Sequence, residues 1–182
     1  NVHVVILDIN NEVLPPNVVG EVCIRGANVT AGYQNNPAAN EEAFAGGWFH
    51  TGDQGMLDTD GYLSLTGRIK ELVNRGGEKI SPVEVDAALL SHPGVTEAVS
   101  FAVPDEKYGE EVNAAVIFKE DWLGRVSISD LTAFVKERLA DFKVPKRFFV
   151  TTDLPRTATG KIQRRIVAKH FLDELAGVKS TA

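Results

Sequence analysis

The chain has 182 residues, 43% hydrophobic and 24% charged, the balance of a globular protein with enough apolar material for one or two small cores. Its net charge of −6 creates a field that repels phosphate and argues against general nucleic-acid binding, and no apolar run approaches the ~20 residues of a membrane span. The single cysteine, Cys23, excludes an internal disulfide framework and fits a reducing compartment.

Charge is unevenly spread. Residues 1–65 hold eight acidic side chains against the lone basic Arg25, whereas residues 66–182 hold seventeen acidic and eighteen basic ones. The change predicts a boundary near Lys70, with one part over 1–69 and another over 70–182. The first residue is Asn1 rather than Met, with no charged-then-apolar leader, which reads as a piece of a longer product.

In chain order, the β-branched run Val2–Ile9 predicts a strand, and Asn10–Asn11 and Pro15–Asn17 mark turns. Glu21–Arg25 is the next strand. Cys23 alternates there with Val22 and Ile24, the setting of a core thiol rather than a nucleophile. Asn28–Tyr33 is a Gly-containing turn, and Asn36 caps a short helix that opens at Pro37 and ends at Gly46-Gly47. Trp48–His50, Gly55–Leu57, the Asp60-Gly61 hairpin signal and Tyr62–Thr66 complete a small antiparallel sheet or barrel segment.

Polar Gly67–Lys70 interrupts this pattern. A hairpin follows, with Leu72 and Val73 on one arm, Ile80 on the other, and Gly76-Gly77 at a turn suited to positive φ. Ser81, Pro82 and Glu84 then read as cap, first helical position and capping-box partner of a helix over Ser81–Leu90. Strands Thr96–Pro104 and Val112–Phe118, helix Ser129–Leu139, strand Arg147–Thr151 and helix Gln163–Leu175 follow. The alternation predicts an α+β module with helices packed on a sheet.

His3, His50, His92 and His170 lack metal-ligand spacing, so no metal ligand is assigned. Trp48, Phe49, Phe101, Phe134, Phe148 and Phe149 read as core and make no stacking array for nucleic acid. Thr157-Ala158-Thr159-Gly160-Lys161 invites a phosphate-loop reading, which fails: Pro155 stands where the first glycine is needed, and Ile162 where a Mg-binding hydroxyl is needed.

Three segments in order carry a resemblance. Gly67-Arg68-Ile69-Lys70-Glu71 with Arg75–Val85 resembles the hinge motif of the adenylate-forming superfamily, which includes acyl-CoA synthetases, peptide-synthetase adenylation domains and luciferases. Trp48–Asp53 resembles that family's aromatic-x-Thr-Gly-Asp segment, and Leu154–Arg164 its final Pro-x-x-x-x-Gly-Lys segment. The similarity runs from about Gly20 to about Leu172, and its wording resembles plant and fungal oxalate–CoA ligases.

The resemblance implies that residues 1–69 end a large AMP-binding domain and that 70–182 form a mobile C-terminal α+β domain. It implies two-step chemistry: a carboxylate attacks the α-phosphate of ATP, and a thiol, usually coenzyme A, displaces AMP. Meeting of two anions needs cations. Lys161 is the implied catalytic residue, contacting carboxylate and adenylate oxygens; locally it also reads as the start of a solvated basic face with Arg164, Arg165 and Lys169. Asp53 is the implied acceptor for the ribose hydroxyls, or a turn-capping Asp; Arg68 is the implied ribose and phosphate contact, or a surface ion-pair partner.

Lys70 matches the hinge position, about which the module would turn between half-reactions; the local alternative is a solvated interdomain turn. Gly76 and Gly77 would line the channel of the pantetheine arm, or simply make a tight turn, and Arg75 and Lys79 would meet a CoA phosphate. Asn74, where some aromatic-acid ligases carry lysine, and Gln54, where an apolar residue is usual, depart from the pattern. The upstream phosphate loop, the acid pocket and the Mg²⁺ site fall outside this sequence, so the chain is expected to be inactive alone and to need the rest of the large domain. Cytosol is the default location, and the ending Val178–Ala182 is not the Ser-Lys-Leu peroxisomal signal. The alternative class is a non-catalytic module that holds an anionic partner on the Lys161–Lys169 helix.

Overall fold

Period-two apolar runs and a few well-placed caps set the architecture. The computed structural model describes residues 1–175, and its fold is α+β. The chain divides into two units, Asn1–Lys70 and a second that begins at Glu71.

In the first unit, β1 (Val2–Leu7), β2 (Gly20–Gly26), β3 (Phe49–Leu57) and β4 (Leu63–Arg68) form an antiparallel sheet in sequence order. Its buried residues include Ile6, Leu7, Val22 and Cys23. Helix α1 (Pro37–Ala43) starts as expected, with Asn36 Oδ1 accepting from Ala39 N at 3.2 Å. At the β3–β4 turn, Asp58 accepts from the N–H groups of Asp60 and Tyr62, and Gly61 takes φ 84°.

One expectation is corrected here. Trp48–His50 and Gly55–Leu57 are not separate strands around a Thr-Gly-Asp turn; β3 runs unbroken through Thr51, Gly52 and Asp53. The β2–β3 register jumps from Glu21↔Gln54 to Cys23↔His50, which is a β-bulge, and Gly52 supplies the φ of 73° that it requires.

The second unit opens with the hairpin of β5 (Val73–Arg75) and β6 (Glu78–Ile80), whose turn residues Gly76 and Gly77 have φ 59° and 98°. Helix α2 (Pro82–Leu90), β7 (Val95–Asp105), β8 (Gly109–Phe118), α3 (Ile128–Lys136), β9 (Arg147–Val150) and α4 (Arg164–Leu175) follow. The sheet order is β6-β5-β8-β7, and β9 pairs in parallel with β8. Strand β8 is buried from Glu111 to Val116, the near-continuous run of a strand covered on both faces. On one face Val112, Ala114 and Val116 join Val85 and Leu89 of α2 and Leu131 and Val135 of α3. On the other, Val99, Phe101 and Ala115 meet Val167 and Phe171 of α4. The sheet is thus sandwiched between helices.

Two helix starts differ from expectation. Ser81 occupies the N-cap of α2 and Pro82 its first turn, but the Ser81 side chain makes no capping bond, and Glu84 instead binds Lys143 Nζ at 2.7 and 2.8 Å. The capping box forms on α3, where Ser127 Oγ accepts from Asp130 N and Asp130 accepts from Ser127 N. His92 lies in a turn but is buried, with Nδ1 accepting from Gly94 N at 3.1 Å and edge-on contacts to Trp122 and Phe134; burial lowers its pKa. Of the aromatics read as core, Phe101 is 2% exposed and the others are partly buried.

Candidate functional site

In the first unit the bulge in β3 aims Asp53. Thr51 Oγ1 donates to Val22 O at 2.7 Å and accepts from Asp53 N at 3.0 Å, while Glu21 Oε1 accepts from Gly52 N. Asp53 faces Arg68 across the β3–β4 ladder, and Arg68 Nε lies 3.0 Å from Asp53 Oδ1. Their side chains are 28% and 65% exposed. A pair so open to water contributes at most about 1 kcal/mol, so either partner can be exchanged for a ligand group at small cost.

Beside Asp53 lies the group in the described residues that could hold a metal: Glu21, Cys23 and His50, with ligand atoms within 4.8 Å of one another. His50 Nδ1 meets Glu21 Oε2 at 2.8 Å and Cys23 Sγ at 3.5 Å, and Nε2 meets Ala45 O at 3.2 Å. Burial pushes the Cys23 thiol up to about 12, with the Glu21 charge adding to the effect. A protonated thiol and an imidazole do not suit Mg²⁺, which takes oxygen ligands. These side chains instead complete each other's hydrogen bonds under the bulge.

Lys70 sits in the short helical turn Ile69–Glu71 at the division between the units and is exposed. Beyond it, both glycines of the β5–β6 hairpin are exposed. A Cβ on Gly76 would lie 3.3 Å from the Tyr108 ring, and one on Gly77 would meet nothing within 4 Å. Gly76 N donates to Tyr108 O at 2.8 Å, which fixes the turn.

Arg75 departs from its expected role as a CoA-phosphate contact. Its Nε donates to the buried carboxylate of Glu111 at 2.7 Å, and its guanidinium lies 3.9 Å from the Tyr108 ring centre. The Glu111 bond raises its pKa and consumes its charge inside the unit. Lys79 is exposed.

Lys161 stands on a small closed loop. Arg156 and Ile162 form a bridge, Thr157 N donates to Lys161 O at 2.9 Å, and Gly160 N donates to Thr157 O at 2.8 Å with Gly160 at φ 79°. Thr157 Oγ1 also accepts from Lys161 N at 3.2 Å. Buried Leu154 anchors the approach, and Arg156 is paired with Glu97 of β7. The Lys161 side chain is exposed, a cation offered from a loop that is itself held.

The expectation of a fully solvated face over Lys161, Arg164, Arg165 and Lys169 is corrected at Arg164. That side chain is 19% exposed and turns inward, with Nε 2.9 Å from Glu71 Oε2 and Nη1 2.6 Å from Asp86 Oδ2. Asp86 also accepts from Ser100 N at 2.6 Å. Burial pushes the Asp86 carboxyl above its ordinary value, opposed by Arg164 and the Ser100 donors. Sequence reading missed this cluster, because its members lie far apart along the chain. A separate groove of about 500 Å³, lined in part by Pro104, Asp105, Asn113, Lys146, Arg147 and Leu172, matches none of the segments singled out above. The Asp105–Lys146 pair at 2.8 Å closes part of its wall.

Among the described residues, no helix is long and apolar enough to cross a membrane. Residues 84–161 match the AMP-binding enzyme C-terminal domain. Over 169 residues, 93% of this chain, the sequence is 64% identical to an oxalate–CoA ligase of Arabidopsis thaliana, and over 172 residues it is 56% identical to an oxalate–CoA ligase of Saccharomyces cerevisiae. The chain spans about a third of the length of these relatives, 32% and 31%. The o-succinylbenzoate–CoA synthetase of Bacillus subtilis, solved with its acyl-adenylate intermediate, is similar over 90% of this chain and 33% of its own, with TM-score 0.80 and 40% identity. Most of the chain is therefore similar to about a third of the length of known CoA ligases, and its residues 84–161 match the AMP-binding enzyme C-terminal domain.

Proposed function

We propose that the protein to which this chain belongs is an ATP-dependent, AMP-forming carboxylate–CoA ligase, with oxalate as the acid. The observation that carries the reading is Lys161 itself, an exposed ammonium on a pinned glycine loop within an AMP-binding enzyme C-terminal domain. The choice of oxalate is supported by 64% and 56% identity to oxalate–CoA ligases.

In the first half-reaction a carboxylate oxygen attacks the α-phosphorus of ATP, the bond to the β-phosphate oxygen breaks, and pyrophosphate leaves. Lys161 offsets the repulsion between the two anions and the charge that develops on the phosphoryl oxygens. In the second, the CoA sulfur attacks the acyl carbon, its proton goes to solvent, and AMP leaves from the tetrahedral intermediate. Asp53 accepts hydrogen bonds from the ribose hydroxyls, and Arg68 leaves its exposed ion pair to contact the ribose and phosphate end. Gly76 and Gly77 present bare backbone to the pantetheine arm, and Lys70 is the hinge between residues 1–69, the end of the large domain, and the mobile domain 70–182. The Mg²⁺ that accompanies ATP is assigned to residues outside this chain, since Glu21, Cys23 and His50 do not suit it. This chain alone is inactive, its partner being the remainder of the same large domain, and the cytosol is its proposed location.

The anion-binding alternative is weakened by Arg164, whose charge is spent on Glu71 and Asp86. The test adds the upstream two-thirds of a ligase chain and follows AMP release with ATP, Mg²⁺, CoA and a panel of carboxylic acids. Oxalate-dependent release supports the proposal. Release with another acid alone removes oxalate, and release with none removes the ligase reading.

A further inference from the structure

Lys161 must be presented at a defined position, yet the residues around it are a loop. Buried Leu154 and the Arg156–Glu97 pair hold its near side to the body of the second unit, and one guanidinium holds its far side. Arg164, three residues after Lys161, bonds Asp86 on α2 and Ser100 O on β7, and the same side chain bonds Glu71. Glu71 is the first residue of the second unit, next to Lys70. Thus the residue that follows the proposed hinge and the loop that carries the proposed catalytic lysine are both tied to one side chain.

We infer that Arg164 is a positioning residue that joins Glu71 and the Lys161 loop into one rigid lever. The inference rests on the proposed function. With Glu71 held, rotation is confined to Lys70 instead of spreading over the next residues, and the angle turned at the hinge reaches the Lys161 ammonium undiminished. Arginine suits the task because its planar fork engages two carboxylates and a carbonyl at fixed angles, which a lysine ammonium cannot do. The two arms differ usefully. Asp86 is 13% exposed and belongs to the folded body, whereas Glu71 is 40% exposed and contributes little to folding. Removing the Glu71 arm therefore separates positioning from stability.

The test uses the full-length protein and acid-dependent pyrophosphate exchange, which reads the adenylation step alone, in wild type, Glu71→Gln, Arg164→Lys and Lys161→Ala. Misplacement of the lysine predicts a roughly tenfold lower exchange rate in Glu71→Gln and in Arg164→Lys, with the KM for ATP little changed. Glu71→Gln should keep the wild-type urea midpoint, and the Leu72 amide should exchange hydrogen faster than in wild type. Wild-type exchange rates in Glu71→Gln overturn the inference, as does a rate loss matched by an equal loss of stability. If Lys161→Ala itself exchanges like wild type, the reading on which the inference rests falls, and the inference with it; if Lys161→Ala collapses while Glu71→Gln does not, only the lever falls.

Discussion

Replacing Asp86 with alanine should loosen the second unit more than any exposed charge change. Its carboxylate accepts from Ser100 N at 2.6 Å, lies 2.7 Å from Ser100 Oγ, and accepts from Arg164 Nη1 at 2.6 Å, with the side chain 13% exposed. Removing one partner of a buried ion pair costs about 3–5 kcal/mol. Arg164 keeps Glu71 and Ser100 O as acceptors, and Ser100 Oγ keeps Pro82 O at 2.8 Å, which places the expectation at about 3 kcal/mol, near the lower end of that range. Urea unfolding followed by tryptophan emission measures it. Trp122 lies in the second unit and Trp48 in the first, so a Trp48→Phe background makes the signal report the second unit alone. A companion Asp86→Ala/Arg164→Ala double variant should be less destabilised than the sum of the single variants, because the two side chains stabilise each other. A loss below about 1 kcal/mol in Asp86→Ala, the scale of an exposed pair, would refute the claim that this cluster clamps α2, β7 and α4.

Three further outcomes follow from particular contacts. Lys146, with the N–H groups of Tyr108 and Lys107, holds Asp105 down to about 2 from an ordinary 3.8. Since the folded value is the lower one, this stabilisation is present above the ordinary value and is lost as pH falls from there toward about 2; the urea midpoint should drop over that window, and Asp105→Asn should flatten the drop. Gly94→Ala would put a Cβ 2.6 Å from the Trp122 indole, so the ring must shift, with an expected loss of about 1–3 kcal/mol and altered Trp122 emission; an unchanged midpoint would contradict the packing described. Gly77→Ala has open space but φ 98°, so its stability cost is backbone strain of about 1–3 kcal/mol. In the full-length ligase it should slow thioester formation more than adenylation, measured as transfer of preformed acyl-adenylate to CoA against pyrophosphate exchange.

Local pattern carried the fold where the chemistry is local. The β-branched run at Val2, the Asn36 cap and the glycines of the β5–β6 turn each act within a few residues, and each appears where the sequence places it. Gly52 and Gly55 broke the alternation of β3, so a bulged strand read as a turn between strands. Glu84 left its cap for Lys143, 59 residues away, and Arg164 turned inward toward Asp86 and Glu71, 78 and 93 residues away. No window of sequence contains both ends of such pairs, and a cation on a helix looks solvated until its partner is located. Lys161 is different again. Its loop geometry explains how it is presented, but neither spacing nor burial distinguishes it from any exposed lysine, and only the ordered motifs singled it out.

The central claim is that Lys161 acts in adenylation. It is tested most directly by comparing pyrophosphate exchange with thioester formation from preformed oxalyl-adenylate, in full-length wild type and Lys161→Ala. The account predicts that exchange falls by at least about a hundredfold while transfer to CoA continues within a few-fold of wild type, because the charge that Lys161 offsets belongs to the first step. Equal losses in both steps, or an exchange rate unaffected by the substitution, would contradict it.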